Sequence, residues 1–257
     1  RAPASRARCP TLVDCRPRPY NVPLVKILTV LTYYHPHWTG LTAHAVRVAE
    51  GLAARGHEVT VLTARHSPEL PEHETIHGVE VIRLPIVGRF NRGVVAPSFP
   101  AAAARLIAAN EAVQIHTPLP ESLLVATLCR LLDRPLLMTH HGDLVMPAGA
   151  VNRAIERIGF EILRRTAALA DGITSYSRDY ADHSRLLRPF SDKLYTIYRP
   201  VDIVEPDPER MRRWRADLGL EGKKLIGFAG RWVDEKGFDY LLQSMDRVLA
   251  EVPEAHL

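Results

Sequence analysis

The sequence predicts an α/β protein built on a doubly wound, mainly parallel sheet, followed by the opening of a second domain of the same kind. Three observations carry that expectation. Short apolar runs such as residues 25–31 and 57–63 recur, and near-continuous hydrophobic strands are what a parallel sheet covered on both faces requires. Segments with helical periodicity stand between them. The alternation is unbroken to about residue 200, with spacings that suit right-handed crossovers, so residues 24–200 should hold about seven mainly parallel strands.

Residues 25–31 make the first strand. A loop with His35, Pro36 and Trp38 leads through Thr39 to Gly40, and a helix follows with Ala45, Val46, Val48, Ala49, Leu52 and Ala53 on its apolar side and Gly56 as its stop. Residues 57–63 close the first βαβ unit. Its first turn lacks G-x-G-x-x-G, which argues against a nicotinamide or flavin dehydrogenase. After a polar loop, residues 79–84 make a third strand, and 85–97 read as irregular. The alanine run 101–104 with Leu106 and Ile107 is strongly helical. Residues 113–116 are a short strand, 123–132 a helix carrying Cys129, and the next strand runs into His140-His141-Gly142-Asp143. From 152 to 170, Ile155, Ile158, Ile162 and Leu163 oppose Arg153, Arg157, Arg164 and Arg165, a sheet-covering helix with a solvated face in preference to a membrane-surface stripe. Residues 172–177 and 193–198 complete the alternation.

Residues 1–23 are a separate block, with Arg1, Arg6, Arg8, Arg16 and Arg18 among prolines and no apolar core of a secretory signal. A disordered basic leader, or sequence outside the true start, is the expectation. A lipid-binding arm is the less favoured alternative. The first domain is expected over 24–203. A Pro-rich link opens the remaining 204–257, followed by a basic helix around Arg210–Arg215, a strand at 224–229, a helix at 238–251 and the onset of another strand at 255–257. One strand and a fragment do not make a sheet, so this second domain is expected to be incomplete, a truncated form.

With 46% hydrophobic and 24% charged residues, the chain can bury a core, and its net charge of +4 suits anionic partners. Nucleoside diphosphates and anionic lipid head groups rank first. No nucleic-acid signature accompanies the charge, so nucleic acid is not expected. No apolar run is long enough to span a bilayer. Cys9, Cys15 and Cys129 give neither an even disulfide framework nor metal-ligand spacing, which fits a reducing, cytoplasmic compartment.

Ligands of doubly wound sheets sit beyond the carboxyl ends of the strands, where polar residues recur here. They are His35 to Gly40, His116 to Pro118, His140 to Asp143, Ser175 to Ser177, and Arg199 to Asp202. Gly40 opens a helix, and a backbone without Cβ there can approach a phosphate or sugar. Near the end, a glycine-bounded turn carries Arg231 and Lys236 from a strand into a helix, which suits a diphosphate. The plainer alternative is an ordinary connection with two solvated cations. A metal site from His116, His140, His141 and Asp143 is the weaker idea, because adjacent histidines on a strand point apart.

The pattern Gly230-Arg231 to Lys236-Gly237, with the chain before it from about Lys26, resembles the retaining glycosyltransferases of family 4, in which G-R-x-x-x-x-K-G opens the second of two facing Rossmann-like domains. The resemblance implies a GT-B architecture, with 24–203 as the N-terminal, acceptor-side Rossmann-like domain and 204–257 as linker and start of the nucleotide-sugar-binding domain. It implies retaining, front-face transfer of a hexose from a nucleotide-diphosphate sugar to a lipid-linked, saccharide or small-molecule acceptor, with no metal or cofactor needed. Arg231 and Lys236 would stabilise the departing diphosphate. His141 stands at a T-x-H-G-like step and would hydrogen-bond the donor sugar, with His140 at a variable position beside it. Asp143 would orient the imidazole or bind acceptor hydroxyls. Thr39 and Gly40 stand where the family has two adjacent glycines. Asp202 matches an N-G-V-D-like step whose first two places are taken here by Arg199 and Pro200. Two other readings compete: a non-catalytic Rossmann-like binding fragment, and a sugar-nucleotide epimerase of the same architecture. Peripheral contact with an anionic membrane surface is a secondary expectation.

Overall fold

The computed structural model describes residues 23–90, 93–144, 148–201 and 205–257. The expectations placed on the leader, with Cys9 and Cys15, and on Asp202 lie outside the described residues. The chain divides into two compact units that meet after Pro200.

The first unit runs β1 (Lys26–Val30), α1 (Gly40–Ala53), β2 (Glu58–Ala64), β3 (His73–Ile76), β4 (Val79–Leu84), β5 (Gly88–Phe90), β6 (Gly93–Val95), α2 (Phe99–Ala109), β7 (Ala112–Thr117), α3 (Ser122–Leu131), β8 (Leu136–His140), α4 (Ala150–Leu169), β9 (Gly172–Ser175), α5 (Arg178–His183) and β10 (Leu194–Thr196). Eight strands form one sheet in the order β10-β9-β8-β7-β1-β2-β4-β3. Every neighbouring pair is parallel except β3 with β4. The order reverses at β1, so crossovers of one hand place helices on both faces. Ala45, Val46 and Ala49 of α1 pack with Leu31, Tyr34, Val61 and Val81 on one side. On the other side α2 to α5 deliver Ile107, Val125, Cys129, Leu163 and Ala181 against Leu28, Val30, Ile115 and Met138. The sheet is doubly wound, as the apolar strands require.

Two departures from the sequence reading have physical causes. β3, His-Glu-Thr-Ile, falls in the stretch read as a polar loop. It is an edge strand with one neighbour, and edges tolerate polar residues that a central strand does not. The stretch read as irregular holds the β5–β6 hairpin, too short to show a period. A third feature holds the loop after β1. Arg83 on β4 is only 2% exposed, pairs with Glu74 on β3, and donates to the carbonyls of His35 (2.7 Å) and Pro71 (3.3 Å). A buried guanidinium needs such partners, and here they anchor the segment that leads to Thr39 and Gly40.

The second unit contains α6 (Pro208–Asp217), β11 (Lys224–Leu225), a 3-10 turn over Asp234–Lys236, α7 (Phe238–Glu251) and β12 (Ala255–His256). Asp207 caps α6 by accepting from Glu209 N and Arg210 N, with Pro208 at the first helical position. β11 and β12 pair in parallel. The strand expected over 224–229 is shorter than its apolar run: the last ladder bond is Ile226 N to His256 O, 2.8 Å, and the partner strand reaches no further. No helix of the described residues is long and apolar enough to cross a membrane.

Candidate functional site

The carboxyl ends of β7, β8 and β9 carry polar side chains of one parity, all turned to the α1 face. Gln114 Nε2 and Thr174 Oγ1 both donate to Thr139 Oγ1 at 2.9 Å, which ties the three strands together. One step nearer the strand ends, His116 Nδ1 lies 2.9 Å from His141 Nε2, and the Tyr176 hydroxyl bonds His141 Nδ1. His44, projecting from the second turn of α1, sets its ring edge-on to His116, His141 and Tyr176 at centroid distances of 5.8, 5.3 and 5.2 Å. The Arg199 guanidinium stacks 3.9 Å above the Tyr176 ring.

Burial pushes the histidines down, His44 to about 4, His116 to about 3 and His141 to about 2, and the Arg199 charge adds to the shift at His44 and His141. Burial raises Tyr176 to about 12, so its phenol keeps its proton. Each neutral imidazole offers one N–H and one lone pair, so the hydrogen bonds Tyr176–His141–His116 run in a single direction. They end at His116 Nε2, which is buried with no partner among the described residues, as is His44 Nδ1. Such a cluster hydrogen-bonds hydroxyls. It does not supply positive charge or a strong base at neutral pH.

Gly40 is the first residue of α1. Thr39 is the cap, its Oγ1 accepting from Thr42 N at 3.1 Å. A Cβ built on Gly40 would stand 3.3 Å from an Arg199 guanidinium nitrogen. The α1 N-terminus, Arg199, Tyr176 and His141 therefore touch in series, which brings Gly40 and His141 into one neighbourhood.

His140 and Asp143 belong to the opposite face. His140 is fully buried, with Nδ1 2.9 Å from Thr117 Oγ1 and Nε2 3.2 Å from Asp143 Oδ1. Ser184 Oγ donates to Asp143 and accepts from Leu186 N and Leu187 N, both at 3.2 Å. The His140 hydrogen bond, with that of Ser184, holds the Asp143 carboxyl below its usual range. Two expectations are corrected by this arrangement. Asp143 orients His140 and not the His141 imidazole, because strand alternation sends neighbouring side chains to opposite faces. His140, at zero exposure with both ring nitrogens engaged, is closed off inside the protein, whereas His141 is half-buried. Among the described residues no group of three or more histidines, cysteines or carboxylates is arranged to hold a metal ion.

In the second unit the turn returns Lys236 toward Gly230, where an added Cβ would lie 4.0 Å from Lys236 Cγ. Gly237 closes it at φ 65°, a left-handed conformation that favours glycine, and leads directly into α7. Phe238 packs on Trp232 (4.1 Å between centroids) and Phe228 (4.9 Å), bracing the turn, and both Arg231 and Lys236 lie exposed.

Sequence reasoning overlooked His44 and placed His116, Tyr176 and Arg199 only within marked strand-end loops, giving His116 no role beyond the weaker metal idea, Arg199 none beyond a departure from a pattern, and Tyr176 none at all. The signal that could have found them was parity: Gln114 and His116, Thr139 and His141, Thr174 and Tyr176 repeat polar residues at every second position of three neighbouring strands.

The family model described as Glycosyltransferase Family 4 matches residues 38–205. An uncharacterized glycosyltransferase of Methanocaldococcus jannaschii is 25% identical over 247 residues, covering 88% of this chain and 60% of that protein. Among solved structures, Anabaena HepE in complex with UDP aligns with a TM-score of 0.64 at 17% identity, covering 86% of this chain and 57% of its own. Sucrose-phosphate synthase from Thermosynechococcus elongatus aligns with a TM-score of 0.61 at 15% identity, over 90% and 61% of the two chains. At these identities the structural likeness shows the fold, a GT-B Rossmann-like architecture. The chain spans roughly 60% of the length of the relatives it matches.

Proposed function

The chain belongs to glycosyltransferase family 4, and from that premise we propose that the whole protein transfers a hexose from a nucleoside-diphosphate sugar to an acceptor hydroxyl with retention of configuration. The bond from the anomeric carbon to the diphosphate oxygen breaks, and a bond to the acceptor oxygen forms on the same face. The acceptor proton passes to the departing phosphate. The leaving diphosphate gathers negative charge, and Arg231, Lys236 and the α7 N-terminus are the groups of the second unit suited to stabilise it. The UDP in the HepE structure supports a nucleotide of this kind.

The observation that carries the reading is the contact series from the α1 N-terminus through Arg199 and Tyr176 to His141 at the carboxyl edge of the sheet. His141, held neutral far below pH 7, acts as a hydrogen-bond partner for a sugar hydroxyl and not as a proton acceptor. It does so by exchanging one of its bonds to His116 or Tyr176. Arg199 adds a cation beside a helix N-terminus with no acidic residue in its first turn, a pairing that favours an anion there. A cytoplasmic setting, with peripheral contact to an anionic membrane, completes the proposal.

Incubation of the protein, at the full length of its relatives, with UDP- and GDP-hexoses tests it. Release of nucleoside diphosphate, with proton NMR showing the donor's anomeric configuration in the product, is the expected result. Interconversion of the sugar nucleotide without release would identify an epimerase instead, and no change in any sugar nucleotide would leave a binding module.

A further inference from the structure

Beside the site, on the side of the sheet away from α1, lies a cavity of about 400 Å³, within the range of roughly 300–1,000 Å³ typical of small-molecule sites. Val94 and Val95 of β6, Leu119, Leu144, and Ile155 and Ile158 of α4 supply most of its wall. Among the described residues, Thr32 is the one member of the lining with a polar side chain, and none of them is aromatic. Pro118 also lines it, and the residue before Pro118, Thr117, accepts from His141 N at 3.0 Å. The cavity therefore opens within two residues of the strand end that carries the site. Its mouth is aliphatic too: Ile158 is 62% and Val95 51% exposed.

Resting on the transfer reading above, we infer that this cavity receives the hydrocarbon chain of the acceptor, so that the acceptor is an alkyl- or isoprenyl-bearing alcohol and not a free sugar or sugar phosphate. A saccharide entering here would lose water from its hydroxyls and meet, among the side chains of the described lining, one threonine as hydrogen-bonding partner and no ring to stack on. A hydrocarbon chain loses nothing of that kind, and its burial removes apolar surface from water on both sides. The position beside Pro118 leaves the hydroxyl-bearing end of such a molecule at the carboxyl edge, where His141 stands. The aliphatic side chains exposed at the mouth suit an occupant that is longer than the cavity or is delivered from a lipid surface.

Gly159 offers a clean test, because it lines the cavity from within α4 and, among the described residues, a Cβ there would meet the tip of the Leu144 side chain, at 2.8 Å. Gly159→Leu should fill the space while favouring the helix. Octyl β-D-glucoside below its micelle concentration and free glucose are titrated onto the chain by isothermal calorimetry and methyl NMR. Saturable binding of the glucoside alone is expected, with shifts at Ile155 and Ile158, weakened at least tenfold in Gly159→Leu. Ile158→Glu, on an exposed position, should weaken it as much and serves if the first variant does not fold. Equal binding of glucose and glucoside, no binding, variants that leave the affinity unchanged, or a dimer of the chain that closes the cavity would each overturn the inference. A protein that binds the glucoside here yet releases no nucleoside diphosphate overturns the transfer reading and leaves the cavity standing as a hydrocarbon site.

Discussion

His44, His116 and His141 stay neutral in the folded chain at pH values where free imidazole is charged, and this has a consequence for stability. Their native values lie below the unfolded value of about 6.5, so below that pH the unfolded chain takes up protons that the native state refuses. Stability is complete above about pH 6.5 and falls as pH drops toward 4, by about 1.4 kcal/mol per pH unit for each histidine still neutral in the native state. Asp143, with its lowered native value, adds a loss of the same direction at still lower pH. Thermal unfolding should therefore show Tm dropping between about pH 7.5 and pH 5, and His116→Gln should flatten that slope by about one proton. A Tm independent of pH in this window would mean that the three rings are solvated. Two further residues have a chemical test. In the full-length protein, Arg231→Ala and Lys236→Ala should each lower turnover by about 10²–10³, the loss seen when one oxyanion-stabilising donor is removed. Unchanged kcat in both variants would place the diphosphate elsewhere.

At the scale of elements, α1 shows how local chemistry aims the site. Thr39 caps it, and its hydroxyl bond to Thr42 N sets the direction in which Gly40 and its neighbours present their amides. Thr39→Ala should cost about 1 kcal/mol in urea denaturation, the usual worth of a side-chain cap. Arg83 should cost more. Replacement by Met leaves the His35 and Pro71 carbonyls without their donor and Glu74 without its partner, a loss of about 3 kcal/mol typical of a broken buried pair. A Met variant as stable as the parent would show that water replaces the guanidinium. The helices and the central strands were legible in the sequence because burial writes a period into them: Ala45, Val46, Ala49 for α1, and Leu28, Val30 for β1. The β3 edge and the three-residue β5 and β6 were not, since an edge has little to bury and three residues show no period. Of the site, Gly40 was legible as the residue that opens the first helix and His141 as the residue that follows a strand end. The partners of His141 were not, because His116 and Tyr176 reach it from 25 and 35 residues away, through strand pairings that no local pattern records.

The two units of the chain differ in how much they bury, and that difference sets the behaviour of the whole molecule. The first has a cluster on each face of its sheet, with residues such as Leu28, Ile107, Ile115, Met138 and Ile173 at zero exposure. In the second, the buried apolar side chains among the described residues are Leu220, Met245 and Ala255, each 7–8% exposed, while Tyr240, Leu242 and Leu249 of α7 are exposed. Its ladder is two residues long on each strand. A short parallel pair with so few buried neighbours has little to hold its amides against opening, whereas β7 and β8 sit in mid-sheet under helices. Hydrogen exchange on this 257-residue chain should therefore divide at about residue 200. Amides of β1, β7 and β8 are expected to exchange only through global unfolding, with protection that rises and falls with urea in step. Those of α7 and β11 are expected to exchange orders of magnitude faster and with little urea dependence, the mark of local opening. The same division predicts that Met245→Ala lowers protection in α7 alone, while Ile115→Ala lowers it across the first unit by about 2–5 kcal/mol. Protection in α7 equal to that in β7 would show that the two units open together, and Arg231 and Lys236 would then be held as firmly as His141.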